Sequence, residues 1–258
     1  MQNLIEQSEQ APAVAMSCSS DAAKMSFRRM RPHSFEISHR GGPYMSVTKD
    51  PPAIVLRYPG VTAAAFVHPL ATVPLSFLAH WHGYATLHAG AFLYQGRAWV
   101  VVGEREAGKS TLLALLGQRG HPVVADDLVV IDGDEVLSGP SCVDLREDAA
   151  GHIVGARAIG EVGDRMRHRL ATPPAPARVP LGGFWLLDWG NEVTYEPLSL
   201  DVSVRMLHEQ HYVGQLGPPA PESMFALLEK PLLRFRRPRE WDAASAAIDQ
   251  LLEAIDAL

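Results

Sequence analysis

The nine residues GEREAGKST, 103–111, constrain this chain more than any other segment. Gly103, Gly108, Lys109 and Ser110 satisfy G-x-x-x-x-G-K-[ST], the Walker A pattern, with apolar Trp99–Val102 before it and Leu112, Leu113, Ala114, Leu115 and Leu116 after it. A strand that turns through a glycine-bearing loop into a helix is the context this pattern requires. The chain holds 21 glycines and only four lysines, Lys24, Lys49, Lys109 and Lys230. Composition alone yields the pattern about 0.003 times in such a chain, so a glycine turn that merely caps a helix is the poorer account. Glycine lets the backbone N–H groups of residues 104–110 converge on an anion, and the positive end of the following helix faces the same point. Lys109 then brings a point charge to the β- and γ-phosphates, Ser110 offers its hydroxyl to Mg²⁺, and Thr111 supports the phosphates from the first helical turn. The expected ATP-binding residues are Gly103, Glu104, Arg105, Glu106, Ala107, Gly108, Lys109, Ser110 and Thr111, with ATP and Mg²⁺ as cofactors. Glu104 and Glu106 fit beside a triphosphate only if they turn outward or pair with Arg105.

Around this loop the pattern is that of an α/β protein. Ala85–Tyr94 and Trp99–Val102 read as a hairpin about Gln95-Gly96-Arg97 whose second arm is buried on both faces. The leucine-rich helix stops at Gly117 to Gly120, and Pro122 ends it. Val123–Ala125 and Leu128–Ile131 are strands that bracket Asp126-Asp127. Adjacent carboxylates on an extended chain point in opposite directions, so one should face Mg²⁺ and the other the nucleophile. Beyond a stiff Pro-rich loop, TPPAPARVP (172–180), Leu181–Asp188 resumes as a buried strand, and Trp241–Leu258 has the spacing of an amphipathic helix. Three units are expected: a mobile tail over 1–24, a small β-rich region over 25–79 with strands near Ser34–Ser38 and Ala53–Tyr58, and the P-loop domain over 80–258. Turns are expected at Gly41-Gly42, Pro51-Pro52 and Pro59-Gly60.

The length of 258 residues suffices for one large domain or one domain with a small appendage. Its net charge of −6 gives no bulk attraction for nucleic acid or anionic lipid, so a polyanion must be gripped locally. The only cysteines, Cys18 and Cys142, do not suggest a disulfide. Neither a signal pattern nor an apolar run of the roughly 18 residues a membrane helix needs is present. A cytoplasmic protein with no nucleic-acid or membrane partner is expected.

LHAG (87–90), GEREAGKST and RGHPVVADDLVVI (119–131), in that order and spacing, resemble the catalytic domain of HPr kinase/phosphorylase, the bacterial serine kinase of the sugar-transport phosphocarrier. The clear likeness spans about residues 85–131. GPSCVDLRED (139–148), RMRHRL (165–170) and Arg237-Pro238 are closer still to the HPr-kinase-like proteins of lasso-peptide biosynthesis, which look like kinases for the C-terminal serine of the precursor peptide. The resemblance implies a P-loop HPr-kinase-like α/β catalytic domain and an ATP-dependent serine kinase that acts on a peptide and forms a homo-oligomer. It places His88 beside the aspartates and makes one aspartate the general base: Asp127, with Asp126 on the Mg²⁺ side, or the reverse order. Asp144-Leu145-Arg146 is the nearest match to the family's metal-binding Glu-x-Arg, so Asp144 joins the expected metal ligands Ser110 and Asp126. Two departures stand out. The glycine-rich signature that follows in true HPr kinases is missing, which argues against the phosphocarrier as substrate and against phosphorylase activity. Arg105, Glu106 and Ala107 also replace the family's usual Ser and Gly.

Arg165, Arg167 and Arg169 alternate, so on an extended segment they share a face, and with Arg146 they are candidates to hold transferred phosphate or an acidic peptide. A solvated basic loop is the alternative. Arg234, Arg236, Arg237 and Arg239 read as surface charge near the last helix, and the histidines of 68–83 lack the partners of a zinc site. Two rivals to the peptide kinase remain: a nucleotide-gated peptide- or partner-binding module without kinase activity, and a serine kinase of a folded HPr-type carrier.

Overall fold

The computed structural model describes residues 25–39, 44–56, 71–162, 164–212, 216 and 221–258. The expected tail over 1–24 and the turns at Gly41-Gly42 and Pro59-Gly60 lie outside them.

The first four strands, β1 (Met25–Arg31), β2 (Ser34–His39), β3 (Tyr44–Thr48) and β4 (Ala53–Leu56), form an antiparallel sheet in sequence order. Phe35 and Ile37 of β2 and Met45 and Val47 of β3 alternate inward with period two, and helix α1 (Thr72–Trp81) covers them with Val73 and Phe77. The rings of Phe35 and Phe77 meet edge to face at 4.9 Å.

The main sheet begins at β5 (Ala85–Leu87), β6 (Gly90–Tyr94) and β7 (Arg97–Val102). The hairpin between β6 and β7 turns on Gln95 and Gly96, both with positive φ (49° and 73°), the conformation a two-residue turn needs to match strand twist. The expected single arm 85–94 is two strands. At the break, the His88 N–H donates to the Gln210 carbonyl at 2.7 Å, and this takes the backbone out of the ladder. β5 therefore pairs with β9, whereas β6 pairs with β7 and β8.

From β7 the chain enters helix α2 (Lys109–Gln118), then β8 (Val123–Ala125), β9 (Val129–Asp132) and β10 (Glu135–Leu137). β11 (Cys142–Leu145), helix α3 (Glu147–Ala150), β12 (Arg157–Val162) and β13 (Arg165–Arg169) follow, and β11-β13-β12 form a small antiparallel sheet. The long β14 (Arg178–Trp189) pairs with β10 at its start, then runs parallel to β7 and to β16 (Leu232–Arg237), whose other edge carries β15 (Thr194–Pro197). Helices α4 (Leu200–Glu209), α5 (Pro221–Leu228) and α6 (Trp241–Asp256) complete the order.

β7 lies between β6 and β14, and its burial explains its unbroken apolar sequence. Trp99 and Val101 enter the core roofed by α2 and α6, with Leu113, Leu116, Ile248, Leu251 and Ile255. Ala98, Val100 and Val102 enter the core on the opposite face, with Met206 of α4 and Leu227 of α5. Each fully buried aliphatic side chain contributes about 1.5–3 kcal/mol, so α6 is firmly anchored through Ile248, Leu251 and Ile255. Cys142 is a buried free thiol. No helix among the described residues is long and apolar enough to cross a membrane.

Candidate functional site

The loop 103–108 leaves the C-terminal end of β7 and enters α2, where the topology of an open α/β sheet places its ligand crevice. Two glycines are needed here. A Cβ on Gly103 would lie 2.9 Å from the Leu187 carbonyl oxygen, so the loop could not press against β14 with any other residue. Gly108 is the left-handed N-cap of α2 (φ +78°), and a Cβ there would meet Arg237 Nη2 at 2.7 Å. Glu106 is also left-handed (φ 69°), a strain of the kind that functional loops retain.

Lys109 folds back over the loop, and its Nζ donates to the carbonyls of Gly103 (2.7 Å) and Glu104 (3.3 Å). Desolvation pulls its pKa down, while the nearby charges of Asp126 and Asp127 push it up. The Ser110 hydroxyl donates to Asp126 Oδ1 at 3.1 Å. Asp126 also accepts the N–H groups of Asp127 (3.1 Å) and Asp144 (3.3 Å). Burial, with Asp127 and Asp144 beside it, pushes its carboxyl up to about 6, against the pull of these hydrogen bonds. A hydroxyl and a carboxylate crowded by negative neighbours are the hard oxygen donors that suit Mg²⁺, which takes one or two protein groups and completes its shell from phosphates and water.

Asp127 is placed differently. It sits at φ 72°, with a side chain 21% exposed. His88, released from the sheet at the β5/β6 break, brings Nδ1 to 3.4 Å from Asp127 Oδ1. Tyr212 donates its hydroxyl to Asp127 Oδ2 at 3.3 Å, and desolvation together with the Asp127 charge holds the phenol well above its ordinary pKa. The two carboxylates diverge, one toward Ser110 and the other toward His88 and Tyr212, but at a bend where Asp127 turns left-handed and not on the extended chain expected from the sequence.

Two expectations need correction. Asp144 is only 7% exposed, and both its oxygens accept from the Arg167 fork, Nε and Nη2 each at 2.7 Å. It is the buried partner of an ion pair, unlike Ser110 and Asp126. Among the described residues, no group of three or more His, Cys, Asp or Glu forms a ready metal cage. By the same token Arg167 is not a phosphate ligand. Of the alternating arginines, Arg165 alone lines the cleft, whereas Arg169 points into solvent. Glu106 pairs with Arg146, at 2.8 Å, so Arg146 fixes the loop.

Arg237 is the residue that sequence reasoning misplaced. It is 6% exposed, beneath the loop, with Nη2 donating to the Ala107 carbonyl at 2.7 Å and its guanidinium 4.3 Å from the Trp189 ring centroid. Nη1 is buried without a hydrogen-bond partner, and burial lowers the guanidinium pKa to about 10. The alternating burial of β16, which buries Leu233, Phe235 and Arg237, marked it as inward-facing. Arg234 and Arg236 lie on the other face and pair with Glu196. Trp189 and Tyr212 carried no signal in the sequence; the Trp189 indole N–H donates to the Glu106 carbonyl at 3.2 Å.

These groups open onto one cleft of about 260 Å³, lined by His88, Lys109, Ser110, Asp126, Asp127 and Arg165 and extending toward α6. The HPr kinase/phosphorylase of Chlorobium luteolum is 28% identical over 177 residues, covering 67% of this chain and 52% of that protein. That of Pelodictyon phaeoclathratiforme is 29% identical over 126 residues, or 48% of this chain and 37% of that protein. The chain is thus similar to HPr kinase/phosphorylases over up to two thirds of its length. It spans about a third to a half of the length of these HPr kinase/phosphorylases. No family model matches the sequence. Among solved structures, the Hpr(Ser) kinase/phosphatase from Coxiella burnetii aligns with 66% of this chain and 97% of its own, at 14% identity and a TM-score of 0.31.

Proposed function

We propose that this HPr-kinase-like protein is an ATP-dependent serine kinase that acts on a peptide in the cytoplasm. The observation that carries the reading is the division of labour between the two aspartates. Asp126 is tied to Ser110 of the phosphate loop, while Asp127, held by Tyr212 and His88, opens to the same cleft as Lys109. ATP is the phosphoryl donor, and Mg²⁺, which Ser110 and Asp126 would hold, would supply charge neutralisation at the phosphates. Lys109 and the loop N–H groups orient the γ-phosphate. Asp127 takes the proton of the serine hydroxyl as that oxygen forms its bond to γ-phosphorus and the bond to the β–γ bridging oxygen breaks. Lys109 meets the charge left on ADP. The products are phosphoserine and ADP, and the proton leaves Asp127 for solvent.

For the acceptor we propose the C-terminal serine of a lasso-peptide precursor. The segments 139–148 and 165–170 support this, as does Arg165: a terminal serine brings a free carboxylate, and Arg165 lines the cleft among Asp127 and Lys109. A nucleotide-gated module would need a metal-side carboxylate but no second one with its own hydrogen-bonded supports. The experiment is a mass-spectrometric assay with Mg-ATP and three acceptors: a serine-ended peptide, the same peptide amidated, and a folded carrier protein. Phosphate should appear on the free-acid peptide, weakly on the amide and not on the carrier. Modification of the carrier alone would transfer the reading to the HPr-type substrate, and modification of none would leave a binding module.

A further inference from the structure

The far end of the cleft has a chemistry that neither the phosphate loop nor the aspartates use. Thr111, Leu112 and Leu115 of α2 face Trp241, Ala244 and Ile248 of α6 across it. The spacings 111/115, 241/244 and 244/248 put each set on one helix face. None of the six carries a charge. Leu112 and Ile248 belong to the core, while Leu115 and Trp241 are only partly buried and leave surface toward the cleft. Ala244 keeps the slot between the bulkier side chains open. His152 stacks on the Trp241 indole at 3.9 Å between centroids and 12° between planes, yet does not line the cleft, so it backs the ring and fixes its orientation.

We propose that this wall is the nucleobase site, with Trp241 as its aromatic platform. The inference rests on the nucleotide-binding reading above. A nucleoside triphosphate is polyanionic at one end and flat, uncharged and aromatic at the other. The cleft has the same polarity, running from Lys109 and Ser110 along the Thr111/Leu115 row of α2 to the indole. Four residues of α2 span about 6 Å, so the apolar wall starts within one helical turn of the phosphate loop.

Calorimetric titration of the full chain with a non-hydrolysable ATP analogue and, separately, with inorganic tripolyphosphate isolates the base from the phosphates. Base–aromatic stacking lost on alanine substitution predicts that Trp241→Ala weakens the analogue about 5- to 150-fold and leaves tripolyphosphate unchanged. Trp241→Phe should recover most of the loss. Ala244→Phe, which fills the slot without removing the indole, should reproduce the selective loss should Trp241→Ala fail to fold. Unchanged analogue affinity in both variants overturns the proposal, as does an equal fall for both ligands. A fall in peptide affinity alone also overturns it and assigns the wall to the acceptor. A wild-type chain that binds neither ligand, or whose binding survives Lys109→Ala, instead removes the nucleotide reading itself.

Discussion

Replacing Arg167 by methionine should destabilise the fold by about 3–5 kcal/mol, the cost of leaving one member of a buried ion pair without its partner. The magnitude follows from the site. Arg167 and Asp144 are 4% and 7% exposed, and the guanidinium meets both carboxylate oxygens at 2.7 Å, so water does not take over when the cation is removed. Methionine fills most of the stem volume and confines the perturbation to the charge. Asp144 also offers its N–H to Asp126, whose carboxyl is already pushed up to about 6 by burial and then by its acidic neighbours, so a further negative charge is left where charge is already crowded. Equilibrium urea unfolding followed by circular dichroism reads the loss. The companion experiment is Arg167→Met with Asp144→Leu: exchanging both members for apolar groups should restore most of the stability, because buried pairs break even with hydrophobic replacements. A single variant within about 1 kcal/mol of wild type that has lost nucleotide or peptide affinity would refute the reasoning, and would return Arg167 to the ligand-binding role its alternation with Arg165 suggested.

Gly108→Ala forces a side chain into a left-handed N-cap and against Arg237. Thermal unfolding should show a cost of about 1–3 kcal/mol, with nucleotide affinity falling at least tenfold. Tyr212→Phe removes a hydrogen bond to a carboxylate. In steady-state assays, kcat should fall about tenfold or more while KM for ATP changes less than about twofold. Arg237→Met loses a bond to the loop and a cation–π contact but also removes a buried charge without a carboxylate. Its unfolding free energy should stay within about 1 kcal/mol of wild type, while Mg-ATP affinity measured by titration falls severalfold.

The phosphate loop and its flanking strand and helix were legible in the sequence because local pattern determines them: an apolar run, glycines at fixed offsets and a leucine-rich row. The pairing of Asp126 and Asp127 beside the loop was legible too, but their divergence arises at a bend with Asp127 left-handed and not from the extended backbone the sequence suggested. Residues brought in by long-range packing were not legible. Asp144 and Arg167 meet only because β11 and β13 pair in register, and that pairing turns a supposed metal ligand and a supposed phosphate ligand into each other's counter-ion. Arg237 reaches the loop because β16 lies beside β14, whose neighbour β7 feeds the loop; an arginine-rich strand read in isolation looks like solvated surface. Tyr212 approaches Asp127 through the contact of residues 211–212 with β5, a bridge that no periodicity announces.

The central claim is that Asp127 acts on the acceptor hydroxyl while Asp126 and the loop hold the nucleotide. Single-turnover transfer of the γ-phosphate to a serine-ended peptide, measured with Mg-ATP affinity on the same preparations of wild type and Asp127→Asn, tests it directly. The wild type should phosphorylate the peptide. The variant should bind Mg-ATP within a few-fold of wild type, with transfer reduced by the roughly 10²–10⁴-fold a general base contributes. Transfer by Asp127→Asn at the wild-type rate, or a wild type that binds and hydrolyses ATP but never labels the peptide, would contradict the account.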